Sequence, residues 1–259
     1  MTKDELFEKI KSSSVSDEEY LINLLKFRGF LIDAGEQGYV LSDNGHIKDA
    51  AYLDELLRRY DIGQVDADKI LVTHADNAEL LFNEFKVKEQ IKVCVCGRGL
   101  GWSYFKRRTF GLKAAVSWLE PYIARYVKAI SACGVITMGS CDGNHPGRDS
   151  MFLQLENAGS VPWHKVICEK CLVGRFNIKW RKDYCEIRFG TKTQFETYYG
   201  VNRAAEFLYN NRIAIREIKR LALSDMTNSY FKKHTDDEIK AEFIERAERL
   251  FDESDLCVH

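Results

Sequence analysis

Proline is scarce, three residues in 259 (Pro121, Pro146 and Pro162), and this excludes long proline-stiffened or disordered linkers. No run of about 18 apolar residues occurs, which excludes a membrane-spanning helix. The opening stretch MTKDELFEKI is acidic and amphipathic with no apolar centre, so no secretory leader is expected and a cytoplasmic location is. Internal repeats and low-complexity tracts are lacking too. With 45% hydrophobic residues, the chain can bury a core without disulfides or metal. The eight cysteines (Cys94, Cys96, Cys133, Cys141, Cys168, Cys171, Cys185 and Cys257) lie mostly in apolar strings, so buried thiols are expected.

Net charge is −1, but it is unevenly spread. Between Arg98 and Lys192 there are 16 Lys/Arg against 7 Asp/Glu, while the flanks are acidic. A basic middle suits an anionic partner, small molecule or nucleic acid; alternatively it docks onto the chain's own acidic ends.

Local signals predict an α+β fold, a mixed sheet with helices. Residues 1–63 read as a small acidic subdomain of helix, hairpin and helix, opened by the cap Ser16-Asp-Glu-Glu19 and stopped at Gly29. Residues 64–259 read as a basic central domain with carboxy-terminal helices. It would begin with a βαβ-like unit, Lys69 to Thr73, a helix through Leu80, Leu81 and Phe85, and the strand Ile91 to Cys96. Pro121 suits the first turn of a helix ending at Gly134. Strands follow at Val135–Met138 and Met151–Leu155, then a helix near Pro162, a hairpin around Arg181-Lys-Asp183, and two helices, the second opened by Thr235 or Asp236.

The densest chemistry lies in the loop Gly139 to Arg148. Three glycines allow close backbone approach, and Ser140, Cys141, Asp142, His145 and Arg148 bring five reactive groups within nine positions. Cys141, Asp142 and His145 are the catalytic candidates. Thr137, Ser140, Gly143 and Arg148 are ligand-binding candidates, joined by Arg98, Gly99, Gly101, Arg107 and Arg108 from a second glycine-rich basic turn suited to phosphate. A tetrahedral zinc set would combine Cys141, His145, Cys168 and Cys171, with His164 nearby. Cys168 and Cys171 equally suit one buried helix face. A thiol nucleophile at Cys141, served by His145 or His164, is a further reading.

The segment Leu119-Glu-Pro-Tyr-Ile through Val-Ile-Thr-Met-Gly-Ser-Cys-Asp-Gly resembles, over about Leu119 to Leu155, the wybutosine-synthesis TYW3 family, in which a helix leads into a strand and a Thr-Ser-Ser-Cys-Ser-Gly-Arg turn. The resemblance implies a site for a nucleoside-like substrate or S-adenosylmethionine at Thr137, Ser140, Cys141 and Gly143. Asp142 stands where that family has a serine, and Asn144 or His145 near its arginine.

Three functions are thus expected as alternatives. The first is binding, with or without enzymatic modification, of a nucleotide, nucleoside-bearing cofactor or RNA. The second is a non-catalytic interaction or ligand-sequestering protein, and the third a zinc-stabilised scaffold.

Overall fold

A computed structural model describes residues 1–36, 38–86, 100–145, 149–182, 184–190 and 192–256. Helix α1 (Lys3–Ser12) starts in a capping box between Thr2 and Glu5. In α2 (Asp17–Arg28) the Ser16 hydroxyl accepts the Glu19 N–H, and Gly29 ends the helix at φ 113°. Gly29 does more than stop α2. A Cβ there would lie 2.6 Å from that of Ala124, so its absence brings α2 against the central helix.

The first sheet contains β1 (Ile32–Gly35), β2 (Gly38–Leu41), β3 (Gly63–Asp66) and β4 (Lys69–Val72) in the order β1-β2-β4-β3, with α3 (Lys48–Arg59) between β2 and β3. Every pairing is antiparallel. Strand β4, the first strand of the βαβ-like reading, forms a hairpin with β3 through Ala67, held at φ 57°. The segment Ala75–Phe85 is a 3-10 helix, and the strand expected at Ile91–Cys96 lies outside the described residues. Residue 63 is the first of β3, so the sheet continues past the domain boundary drawn from sequence.

After α4 (Gly101–Arg107) and a 3-10 turn (Val116–Trp118) comes α5 (Pro121–Ala132), with proline in its first turn. The second sheet, β5 (Thr137–Cys141), β6 (Ser150–Leu155), β7 (Asn177–Trp180) and β8 (Tyr184–Arg188), is antiparallel in the order β5-β6-β8-β7, with α6 (Ser160–Cys171) following β6. Four helices close the described chain: α7 (Gln194–Asn210), α8 (Arg212–Ala222), α9 (Asn228–Lys233) and α10 (Asp236–Asp252), the last opened by a Thr235 capping box. The fold is α+β, and the mixed sheet of the sequence reading resolves into two antiparallel ones.

Eleven of the twelve α5 residues are buried. The helix packs against α7, α2 and β5, and one apolar cluster runs from Leu6 to Phe251, so amino- and carboxy-terminal helices share a core. Within it Lys128 of α5 pairs with Asp49 of α3, both nearly sealed from solvent. Asp49 also accepts the Val116 and His46 N–H groups at 2.9 Å, and Lys128 donates to the Ala114 carbonyl at 3.0 Å. Arg125–Glu206 and Lys170–Asp252 likewise join basic middle to acidic flank, so part of the charge asymmetry is neutralised internally.

Removing one partner of a buried pair strands the other charge and its hydrogen-bond donors. Asp49→Ala is expected to cost about 3–5 kcal/mol in urea unfolding. A loss below about 1 kcal/mol, typical of an exposed pair, would show that the Lys128 contact contributes little.

Candidate functional site at the start of the central helix

Strand β5 leaves the sheet edge after a register shift between Thr137 and Gly139, with Cys141 opposite Phe152. The chain then turns sharply. Asp142 Oδ1 accepts the Asn144 N–H at 2.9 Å, and Cys141 Sγ accepts the Gly143 N–H at 3.4 Å. Gly143 has φ +73°, and a Cβ there would lie 2.3 Å from the Ser150 carbonyl oxygen, so glycine is required both for conformation and for space.

This turn sits on the first turn of α5. Glu120 occupies the N-cap position, but its side chain makes no cap bond to its own helix. The cap comes from the loop: Asp142 Oδ2 accepts the Tyr122 N–H at 3.3 Å. Glu120 reaches outward instead, accepting the Asp142 N–H at Oε2 and holding His145 Nε2 3.1 Å from Oε1. From α7, Tyr198 donates its hydroxyl to the Asp142 carbonyl at 2.9 Å, and Gln194 donates to the Gly143 carbonyl at 3.3 Å. Tyr198 is itself stacked on Tyr122, ring centres 4.3 Å apart. Three elements therefore fix the turn.

The outcome is a mixed donor cluster. One ligand atom each from Glu120, Cys141, Asp142 and His145 lies within 4.8 Å of the others. Glu120, Cys141 and Asp142 are buried, while the His145 side chain retains 22% exposure and marks the open side. Burial pushes the Asp142 carboxyl up to about 7; N–H bonds from Asn144 and Tyr122 oppose the rise, and neighbouring Glu120 adds to it. Burial likewise lifts the Cys141 thiol to about 11, against the Gly143 N–H. A thiol so placed favours its protonated form until a cation is brought beside it.

The remaining sequence candidates lie elsewhere. Thr137 and Ser140 are half-buried on β5, and among the described residues the Thr137 hydroxyl has no hydrogen-bond partner. Gly101 opens α4 at φ 68°; Arg107 is exposed and bonds the Ser103 carbonyl at 3.2 Å; Arg108 bonds the Tyr104 hydroxyl and, at 3.4 Å, the Phe110 carbonyl. Arg98, Gly99 and Arg148 lie outside the described residues. Among the described residues, the Arg107–Arg108 end of the first glycine-rich segment and the Cys141–His145 cluster do not meet in one pocket. Lys219 bonds the carbonyls of Arg108 and of Gly134, just past the carboxy end of α5, at 2.9 and 2.8 Å. The acidic cluster is at the other end of that twelve-residue helix, about 18 Å away along its axis.

The proposed zinc quartet is divided as well. Cys141 and His145 meet Glu120 and Asp142, whereas Cys168 and Cys171 are buried on α6. There Cys168 Sγ lies 3.6 Å from His164 Nε2, which is 2.9 Å from the Tyr126 hydroxyl; Cys185 Sγ is 4.0 Å from His164 Nδ1. His164 is fully buried, and burial lowers it to about 3, so it is neutral. Glu120 is the residue that sequence reasoning missed. Its signal was a carboxylate immediately before the helix-opening Pro121.

No protein-family model, curated protein or solved structure matches this chain.

His164 gives the fold a pH signature. Its proton affinity is lower folded, about 3, than in the ordinary range, 6.5. Its contribution is therefore complete above pH 6.5 and is lost as pH falls towards 3. Wild-type stability should fall across that window by up to about 1.4 kcal/mol per pH unit through this residue. His164→Gln, which keeps a polar group but does not titrate, should show a shallower acid limb in denaturant titrations; identical slopes would refute the buried neutral imidazole.

Proposed function

We propose that the protein is a metal-binding protein whose functional centre is Glu120, Cys141, Asp142 and His145, with zinc as the matching ion. The observation that carries this reading is the convergence of thiol, imidazole and two carboxylates, one donor atom each, within 4.8 Å. Tetrahedral bonds of about 2.0–2.3 Å separate ligand atoms by roughly 3.5 Å, so small side-chain shifts close the cluster around an ion. Sulfur and nitrogen with oxygen suit zinc, whereas calcium and magnesium prefer oxygen alone.

The surroundings support the same reading. Asp142 and Glu120 are held by backbone N–H and imidazole contacts that orient their carboxylates, as partners around metal ligands do. The amino end of α5 adds partial positive charge, so excess anionic donor charge is tempered. When bound, the ion would supply Lewis acidity. His145 would swing its Nε2 from Glu120 to the ion, and on this partly exposed side a small ligand has access.

Purified protein should carry about one zinc per chain by elemental analysis. Cobalt replacement should give a thiolate-to-cobalt charge-transfer band that Cys141→Ala lacks, and His145→Ala should weaken binding by about 100-fold or more. Substoichiometric metal with no cobalt–thiolate band would sink this reading and leave the cluster as a helix cap.

A further inference from the structure

Beyond the carboxy end of α5, the last turn of α4 and one face of α8 border a groove of about 520 Å³. Lys106, Arg108, Arg216, Lys219 and Arg220 line it against one carboxylate, Glu217. Glu217 is committed to Arg220 by hydrogen bonds of 2.6 and 2.7 Å. The other cations meet neutral partners. Lys106 donates to the Ser224 and Met226 carbonyls at 2.9 Å, Arg108 to a hydroxyl and a carbonyl, and Arg216 lies 4.5 Å from the centre of the Phe110 ring.

Such partners satisfy hydrogen bonds without cancelling charge. Among the described residues no carboxylate forms an ion pair with Lys106, Arg108 or Arg216. Lys219 is 3% exposed, rests 3.6 Å above the Phe105 ring centre, and is pulled down to about 7 by burial, with Glu156 opposing and Arg108 adding to the fall. Glu156 is itself engaged by the N–H groups of Ala158, Gly159 and Ser160. Gathering like charges costs free energy that an anionic ligand in the groove would recover. Among the described residues, Glu217 is the only carboxylate that lines this groove.

Shape and lining narrow the ligand. The volume is that of a small-molecule site. Ile213, 68% exposed, adds an aliphatic surface on which a flat ring can lie. Several convergent cations fit a polyphosphate better than one phosphate, and their convergence on one volume differs from the extended track that a nucleic-acid strand needs. We propose that this groove binds a nucleoside di- or triphosphate, with phosphates against Arg108 and Arg216 and the base over Ile213.

Titration of the full chain with ATP, inorganic phosphate and a single-stranded RNA oligomer, followed by calorimetry, tests the assignment. ATP should bind more tightly than phosphate or RNA. Arg216→Glu should weaken ATP binding at least about tenfold. Lys240→Glu, the same charge change on an exposed residue of α10, should leave it unchanged. Equal losses in both variants would reveal general electrostatic attraction and overturn the site. Tighter binding of RNA than of ATP, or no binding of ATP, would overturn it too.

Discussion

A helix buried along its whole length must end inside the protein, and this constraint organises the molecule. The first N–H groups and last carbonyls of a helix have no partners within it and, away from water, each must find one. At the amino end of α5 the Tyr122 N–H goes to Asp142. At the other end the Cys133 carbonyl accepts from the Trp163 indole at 2.8 Å, and the Gly134 carbonyl accepts from Lys219. Acid at the positive end and base at the negative end also match the helix dipole. The donor cluster and the basic groove are therefore extensions of the same structural need.

That origin explains the separation of the two chemistries. The acidic and sulfur-bearing groups belong to Cys141 at the end of β5, to the loop after it and to Glu120; the cations belong to α4, the chain after it and α8. The helix that unites the core also keeps a cation cluster from quenching the carboxylates by direct pairing. At the loop end Tyr198 and Gln194 also donate to the carbonyls of Asp142 and Gly143. The groove end is more open, with Arg220 and Ile213 exposed.

Much of the local architecture was legible because its signals are local. Ser16 and Thr235 cap helices, Pro121 sits in a first turn and Gly29 ends α2, each where short-range pattern placed it. Strand β3 escaped notice because Gly-Gln-Val-Asp carries no apolar run; its place is decided by pairing with β4. The same division holds for the site. Density of polar groups marked Cys141, Asp142 and His145, but Glu120 lies 22 positions before Asp142, and only the packing of loop on helix gives it a role. Spacing left Cys168 and Cys171 either as metal ligands or as one buried helix face, and both are buried on α6. Composition located the basic segment, but Arg216, Lys219 and Arg220, which complete its groove, come from a helix outside it.

The Asp49–Lys128 pair has a consequence for how the chain acquires its shape. Its members are 79 positions apart, and the first sheet and α3 pack through it and through Gly29 onto a helix made much later. During synthesis the first strands and helices would leave the ribosome with Asp49 and the apolar faces of α2 still lacking their partners. Late, long-range closure of this kind slows folding, because the entropy of ordering a long intervening chain is lost before the contacts that compensate for it form. The amino-terminal third is thus expected to wait for α5, and to be the part of the nascent protein most in need of protection from aggregation.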